Sequence, residues 1–221
     1  MRINKYLALA TGMSRRDADI AVQQGKVLVN GILPSLGQDV SDKDSVTYNG
    51  RTAIIAQGTT TIILHKPAGY VVSRDGQGSK TIYNLLPPDY HQLKPIGRLD
   101  KESSGLLLLT NDGQLAHRLT HPSFRKVKVY EIQLDTPLAP LHRQMIHDFG
   151  VELADGPSKL RLERMTEGDD TTWRVRMQEG RNRQIRRTFA SLGYAVKTLH
   201  RTHFGPYTLN NLAPGQIKKI T

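Results

Sequence analysis

Gly97-Arg98-Leu99-Asp100-Lys101-Glu102-Ser103-Ser104-Gly105-Leu106-Leu107-Leu108-Leu109-Thr110 is the stretch from which the rest of the chain can be ordered. The four leucines follow neither a helical nor an alternating period, and Asn111-Asp112-Gly113 closes them with a turn signal. They therefore read as a strand buried on both faces, at the centre of a sheet. The polar segment ahead of them is then a loop fixed to the end of a rigid strand, with Asp100 at its middle and Arg98 nearby. A loop aspartate in a surface ion pair has the same appearance, so this segment nominates Asp100 without giving it a role.

Outward from that strand, Ile62 to His65 reads as a strand entering Lys66-Pro67-Ala68-Gly69, and Thr81 to Leu86 as a short helix stopped by Pro87-Pro88. Downstream come a helix over Gln114 to Thr120, a strand over Val127 to Leu134 and a helix over Leu138 to Phe149. Leu160 to Met165 and Trp173 to Gln178 alternate and join across Glu167-Gly168-Asp169-Asp170, which predicts a hairpin. Asn182 to Leu192 reads as an amphipathic helix, and strands return from Tyr194. Paired strands with interspersed helices predict an α+β fold with a mixed, largely antiparallel sheet.

Residues 1–58 read as a separate unit, and 59–221 as a second domain, joined by a short polar linker over Gln57 to Thr61. In the first unit Ile3, Leu7 and Ala10 share one helical face, and Gly12 breaks that helix. Ser14 then caps a second helix with Asp17 three residues on, and Gly25 ends it. Val27 to Val29 and Val46 to Tyr48 read as strands, each followed by an Asn-Gly turn. Arg2, Lys5, Arg15, Arg16 and Lys26 concentrate positive charge in the helical half, while Asp39, Asp42 and Asp44 lie in the later loop. A solvated helix surface would have the same composition.

The 221 residues carry a formal net charge of +11, and 38% are hydrophobic. A basic chain of this size is suited to a polyanion, because each phosphate it neutralises releases a counterion. There are no cysteines, which excludes disulfides, thiolate metal sites and cysteine nucleophiles. Leu106 to Leu109, like every other apolar run, is far too short for a membrane span, and no secretory signal pattern is present. The expected protein is cytoplasmic, monomeric and free of membrane contact.

On the helix near the C-terminus, Ile185, Phe189 and Leu192 form the apolar stripe. Arg183, Arg186 and Arg187 crowd an adjacent face, which is tolerable where an anion lies opposite. Arg174 and Arg176 share one face of their strand, and with Arg161 form either an RNA-contacting or a solvated surface. His117 and His121 have metal-ligand spacing but lack a third partner, so no metal site is expected. Gly76-Gln77-Gly78-Ser79-Lys80 lacks the spacing of a phosphate-binding loop, so nucleotide-driven chemistry is not expected.

Several segments taken together resemble one family. Gly97-Arg98-Leu99-Asp100 followed by Ser104 to Gly113 is similar to the signature of pseudouridine synthases of the S4-domain ribosomal-RNA group. His65 to Tyr70, Lys128-Val129-Tyr130 and Glu179 to Arg187 match further motifs of that group in the same order. Residues 2–50, with Ser14-Arg15-Arg16 and Gly25 to Gly31, resemble an S4-type RNA-binding domain. The resemblance implies a small N-terminal S4-like domain ahead of a pseudouridine synthase catalytic domain, acting without a cofactor on ribosomal RNA or an assembly intermediate of the ribosome. It implies Asp100 as catalytic carboxylate, Tyr130 stacked on the target uracil, and Arg186 in an ion pair with Asp100. Tyr70 has a similar but weaker claim to a place beside the base. It sets Arg15, Arg16 and Lys26, with Arg2 and Lys5, against RNA phosphates, and makes Lys66, Arg98, Arg183 and Arg187 further RNA-contacting candidates. The competing readings are a non-catalytic RNA-binding or ribosome-assembly factor and a synthase directed at tRNA.

Overall fold

The computed structural model describes residues 1–55 and 58–221. The chain divides into two units, Met1–Thr59 and Thr60–Thr221. Gln57, at the start of the expected linker, lies outside the described residues.

The first unit packs two helices, α1 (Ile3–Thr11) and α2 (Arg15–Gln23), with a three-stranded antiparallel sheet of β1 (Val27–Val29), β2 (Val46–Tyr48) and β3 (Arg51–Thr52). Gly12, at φ 79°, ends α1 in the left-handed conformation that glycine adopts most readily. The expected cap of α2 is present. Ser14 Oγ accepts from the Asp17 backbone N–H at 3.0 Å, and the Asp17 carboxylate accepts from the Ser14 N–H at 3.3 Å. Ile3, Leu7, Ala18, Val22, Val27 and Val46 close the small core. Arg2, Lys5, Arg15, Arg16 and Lys26 are all exposed, although the Arg15 guanidinium also donates to Asn4 Oδ1 at 3.1 Å.

The second unit is built in chain order from β4 (Thr61–Lys66), β5 (Lys94–Ile96), β6 (Ser104–Thr110), α3 (Gly113–Thr120), β7 (Lys128–Leu134), α4 (Pro140–Gln144), β8 (Val151–Leu153), β9 (Gly156–Ser158), β10 (Arg161–Arg164), β11 (Thr172–Met177), α5 (Gln184–Ala190), β12 (Val196–Phe204), β13 (Tyr207–Thr208) and β14 (Ile217–Lys219). Its main sheet runs β10-β11-β7-β12-β6-β4-β14, with β5 paired to β6 and β13 to β12. Of these pairings only β12–β6 is parallel, so the sheet is mixed and largely antiparallel. The leucine run lies in β6, and Leu106 to Leu109 are fully buried. Leu107 and Leu109 join a large core with Ile62, Leu64, Tyr130, Trp173, Ile185 and Phe189, while Leu106 and Leu108 face Ile63, Ile96, Leu119 and Phe204 on the opposite side. A strand covered on both faces cannot alternate, which accounts for the unbroken leucines.

Three predicted helices are shorter than their sequence patterns suggest. Thr81 to Leu86 contains a single 3-10 turn, Ile82–Leu85. Leu138 to Phe149 is α-helical only over α4 and continues as a π turn over Met145–Phe149. The helix expected from Asn182 starts at Gln184, because Arg183 adopts a left-handed conformation with φ 47°.

Candidate active site

Asp100 sits in the loop that enters β6, and the buried end of β4 lies beneath that loop. Lys66 is completely buried, and its ammonium donates to the backbone carbonyls of Pro67 (3.0 Å), Asp100 (3.1 Å), Lys101 (3.4 Å) and Ser103 (2.6 Å). This corrects the expectation that Lys66 contacts RNA. Ile62, Leu64 and Lys66 share one face of β4, so the side chain points inward and holds the loop by its peptide oxygens. Burial pushes the Lys66 ammonium down to about 8, an effect that the charges of Asp100 and Glu102 partly offset.

The loop forms one wall of a cleft of about 310 Å³ in the second unit. Asp100, Arg98 and Ser103 contribute to that wall. Tyr130, Lys128, Met177, Arg201 and Phe204 come from the adjoining ends of β7, β11 and β12, and Arg183, Ile185 and Arg186 from the start of α5. Tyr130 is mostly buried, with its ring part of the large core. Asp100, Tyr130 and Arg186 therefore share one cleft, and Arg98 and Arg183 stand at it too.

The expected ion pair between Asp100 and Arg186 is not formed. The Asp100 carboxylate is 3.4 Å from Arg183 Nη1, which is also 3.4 Å from Glu102. The reason is the left-handed conformation of Arg183. Off the helix, this residue is no longer one of three arginines on a single face, and it faces the loop across the cleft. Arg186 Nη1 donates instead to the Val196 carbonyl at 2.6 Å, while its Nε and Nη2 are buried without a partner among the described residues. Arg186 still feels the charges of Asp100 and Glu102, although burial and then Arg183 weaken its hold on its proton.

Arg187 turns away from the cleft and makes two bonds to Asp155, at 2.9 Å and 2.7 Å. Its guanidinium holds the Asp155 carboxyl below the usual range. Arg181 fixes the same corner by donating to the carbonyls of Asp155, Gly156 and Pro157. Buried Gln184 ties α5 to Ser158 Oγ at 3.1 Å. Of the arginines on the strands, Arg174 pairs with Glu131 at 3.2 Å and Arg176 with Glu163 at 2.9 Å. Tyr70 does not line the cleft.

Sequence reading missed two cleft residues. Lys128 was part of a quoted motif without a role, and Arg201 was not singled out. Arg201 shares strand parity with buried Leu199, so a cation at an inward position of β12 was the available signal.

A carboxylate held by its backbone, a mostly buried aromatic ring at the wall and several cations suit an anionic, planar substrate drawn into the cleft. Comparison with known proteins gives the same family for the whole chain. Residues 60–191 match the family profile described as RNA pseudouridylate synthase. An uncharacterised RNA pseudouridine synthase of Aquifex aeolicus is 37% identical, the match covering 100% of this chain and 90% of the relative. The ribosomal large subunit pseudouridine synthase B of Bacillus subtilis is 34% identical (100% and 92%), and the ribosomal small subunit pseudouridine synthase A of Salmonella typhimurium 33% (100% and 96%). A solved structure described as a pseudouridylate synthase superposes with a TM-score of 0.72 at 31% identity, covering 100% of this chain and 96% of that one. On sequence and fold alike, this chain belongs to the RNA pseudouridylate synthase family.

Proposed function

We propose that the protein converts uridine to pseudouridine in ribosomal RNA, with Asp100 as the catalytic carboxylate. The observation that carries this reading is the cleft shared by Asp100, Tyr130 and Arg186. The reaction breaks the N1–C1′ bond, turns the base, and joins C5 to C1′. C5 then loses a proton and N1 gains one, so the atoms balance within the nucleotide and water. A carboxylate can start this by attacking C1′ as a nucleophile, or by removing the C2′ proton to give a glycal. Both routes use Asp100 as its carboxylate.

The uridine must leave its stack to enter the cleft, which costs a few kcal/mol, least in a loop or bulge. Stacking on Tyr130 offsets part of that cost. Arg183 and Arg98, both exposed, are suited to the flanking phosphates. Residues 1–58 act as an S4-type anchor, with Arg2, Lys5, Arg15, Arg16 and Lys26 on phosphates. Ribosomal RNA is favoured because curated relatives that match the full chain are named for the large and the small ribosomal subunit.

Mapping carbodiimide-reactive pseudouridines in ribosomal RNA, from cells with and without the protein, tests this function. The expected result is a site in one subunit that disappears with the protein and returns on its re-expression. Identical maps would contradict the ribosomal target.

A further inference from the structure

Arg201 is 2% exposed, carries a full charge, and has no carboxylate within ion-pairing distance among the described residues. Two of its contacts are structural. Its Nε donates to the Leu106 carbonyl at 2.8 Å, and its guanidinium lies 4.9 Å from the centre of the Phe204 ring. The Leu106 carbonyl lies one residue past the last β12–β6 register pair, Arg201↔Gly105, so this bond takes over where the parallel ladder stops. Those contacts leave Nη2 buried and, among the described residues, without a partner, although the residue lines the cleft. A buried donor left unpaired is costly, and the cost is removed when a ligand supplies an acceptor.

Register identifies what that acceptor would be. Arg201 is the direct cross-strand partner of Tyr130, and Phe204 that of Lys128, so the two cations stand beside Tyr130 in the sheet, with the Lys128 ammonium, like the Arg201 guanidinium, over the Phe204 ring. Gly105 brings β6 close to this point, since a Cβ there would overlap the Arg201 backbone. Burial, and then the charge of Arg201, weaken the hold of Lys128 on its proton, which marks the two cations as close neighbours. The Lys128 ammonium donates to the Glu179 carbonyl at 3.1 Å.

We propose that Arg201, with Lys128 beside it, forms the subsite that receives a carbonyl oxygen of the uracil lying on Tyr130. This rests on the reading of the cleft given above and adds the means of choosing the base. The chemistry of the turn makes such a donor useful throughout. Exchanging N1 for C5 at the sugar is a half-turn of the ring about its N3–C6 axis, and that half-turn also exchanges C2=O for C4=O. A fixed donor therefore meets a carbonyl before and after the turn. Cytosine offers a carbonyl in one orientation and an amino group, itself a donor, in the other, so the subsite rejects it.

The test compares three short RNAs, built around the uridine identified by mapping, that carry uridine, 2-thiouridine or 4-thiouridine at the target. Sulfur is a poor acceptor, so in the wild type at least one thio substitution lowers kcat/KM. Arg201→Met lowers kcat/KM on uridine by roughly 10- to 100-fold, the loss of a hydrogen bond from a charged donor, and its thio penalty shrinks towards none. Lys128→Met, which leaves the Leu106 bond intact, reduces the same penalty and covers the case in which Arg201→Met does not fold. An equal loss on all three RNAs in both variants would make these cations scaffold or backbone contacts, and so would no loss at all. Either result overturns the proposal. Turnover by Asp100→Asn reports separately on the catalytic reading, because that variant retains both cations.

Discussion

Two carboxylates near α5 meet arginines in opposite ways. Asp155 is closed: Arg187 holds both of its oxygens, and Arg181 adds a third contact at 3.0 Å. Asp100 is open: its ion-pair contact to Arg183 at 3.4 Å is long and shared with Glu102. Arg183 is 45% and Asp100 31% exposed, so this contact is easily exchanged for substrate. What differs is where the loop gets its rigidity. The Asp155 corner is fixed through the carboxylate itself and through carbonyls. The Asp100 loop is fixed through its backbone by Lys66, which frees the carboxylate for chemistry.

If that distinction is right, Asp100→Asn lowers turnover by at least about 1000-fold with little change in stability, while Asp155→Asn leaves turnover near wild type. Arg186→Met removes a cation from beside Asp100 and should cost about 100-fold in kcat, read on an RNA bound to saturation. Lys66→Met removes the ammonium from four carbonyls, of which those of Asp100 and Lys101 keep a backbone donor, from Ser103 and Gly69. It should destabilise the second unit by about 3 kcal/mol, or roughly 10 °C in melting temperature.

The pH dependence sharpens the same point. Below about 8, Lys66 is protonated both folded and unfolded. Between about 8 and its ordinary value of 10.5, the unfolded chain holds a proton that the folded chain has shed. The contribution of this group to stability therefore rises with pH across that window, and Lys66→Met cancels the rise. Asp155 behaves in the opposite sense. Its depressed pKa stabilises the fold above the ordinary carboxylate range and is lost on acidification, so Asp155→Asn flattens the acid limb of a melting-temperature curve. The smallest effect belongs to the first unit: Arg15→Ala with Arg16→Ala should reduce the slope of log Kd against log salt by roughly 2, without changing kcat.

The leucine run gave away the central strand because four apolar residues in a row need cover on both faces. The loop ahead of it was legible for the same reason, and so was the position of Asp100. The ion pair with Arg186 was expected from the family resemblance, and the structure gives the contact to Arg183 instead, whose left-handed backbone takes it off the helical face on which the three arginines were counted. Lys66 was counted among the RNA-contacting candidates along with the motif it belongs to, although its parity with Ile62 and Leu64 pointed inward. Arg201 carried the same kind of signal, a cation in step with Leu199, and was overlooked among the strands after Tyr194. Inward cations on strands are the residues that composition hides and alternation reveals.

Tritium release from RNA labelled at C5 of uridine, under single-turnover conditions with Asp100→Asn in excess and its RNA binding measured in parallel, tests the open carboxylate most directly. The predicted result is binding like that of wild type with release at or below about 0.1% of its rate. Release at a rate near wild type would mean that another group opens the glycosidic bond, and that Asp100 is one more loop aspartate.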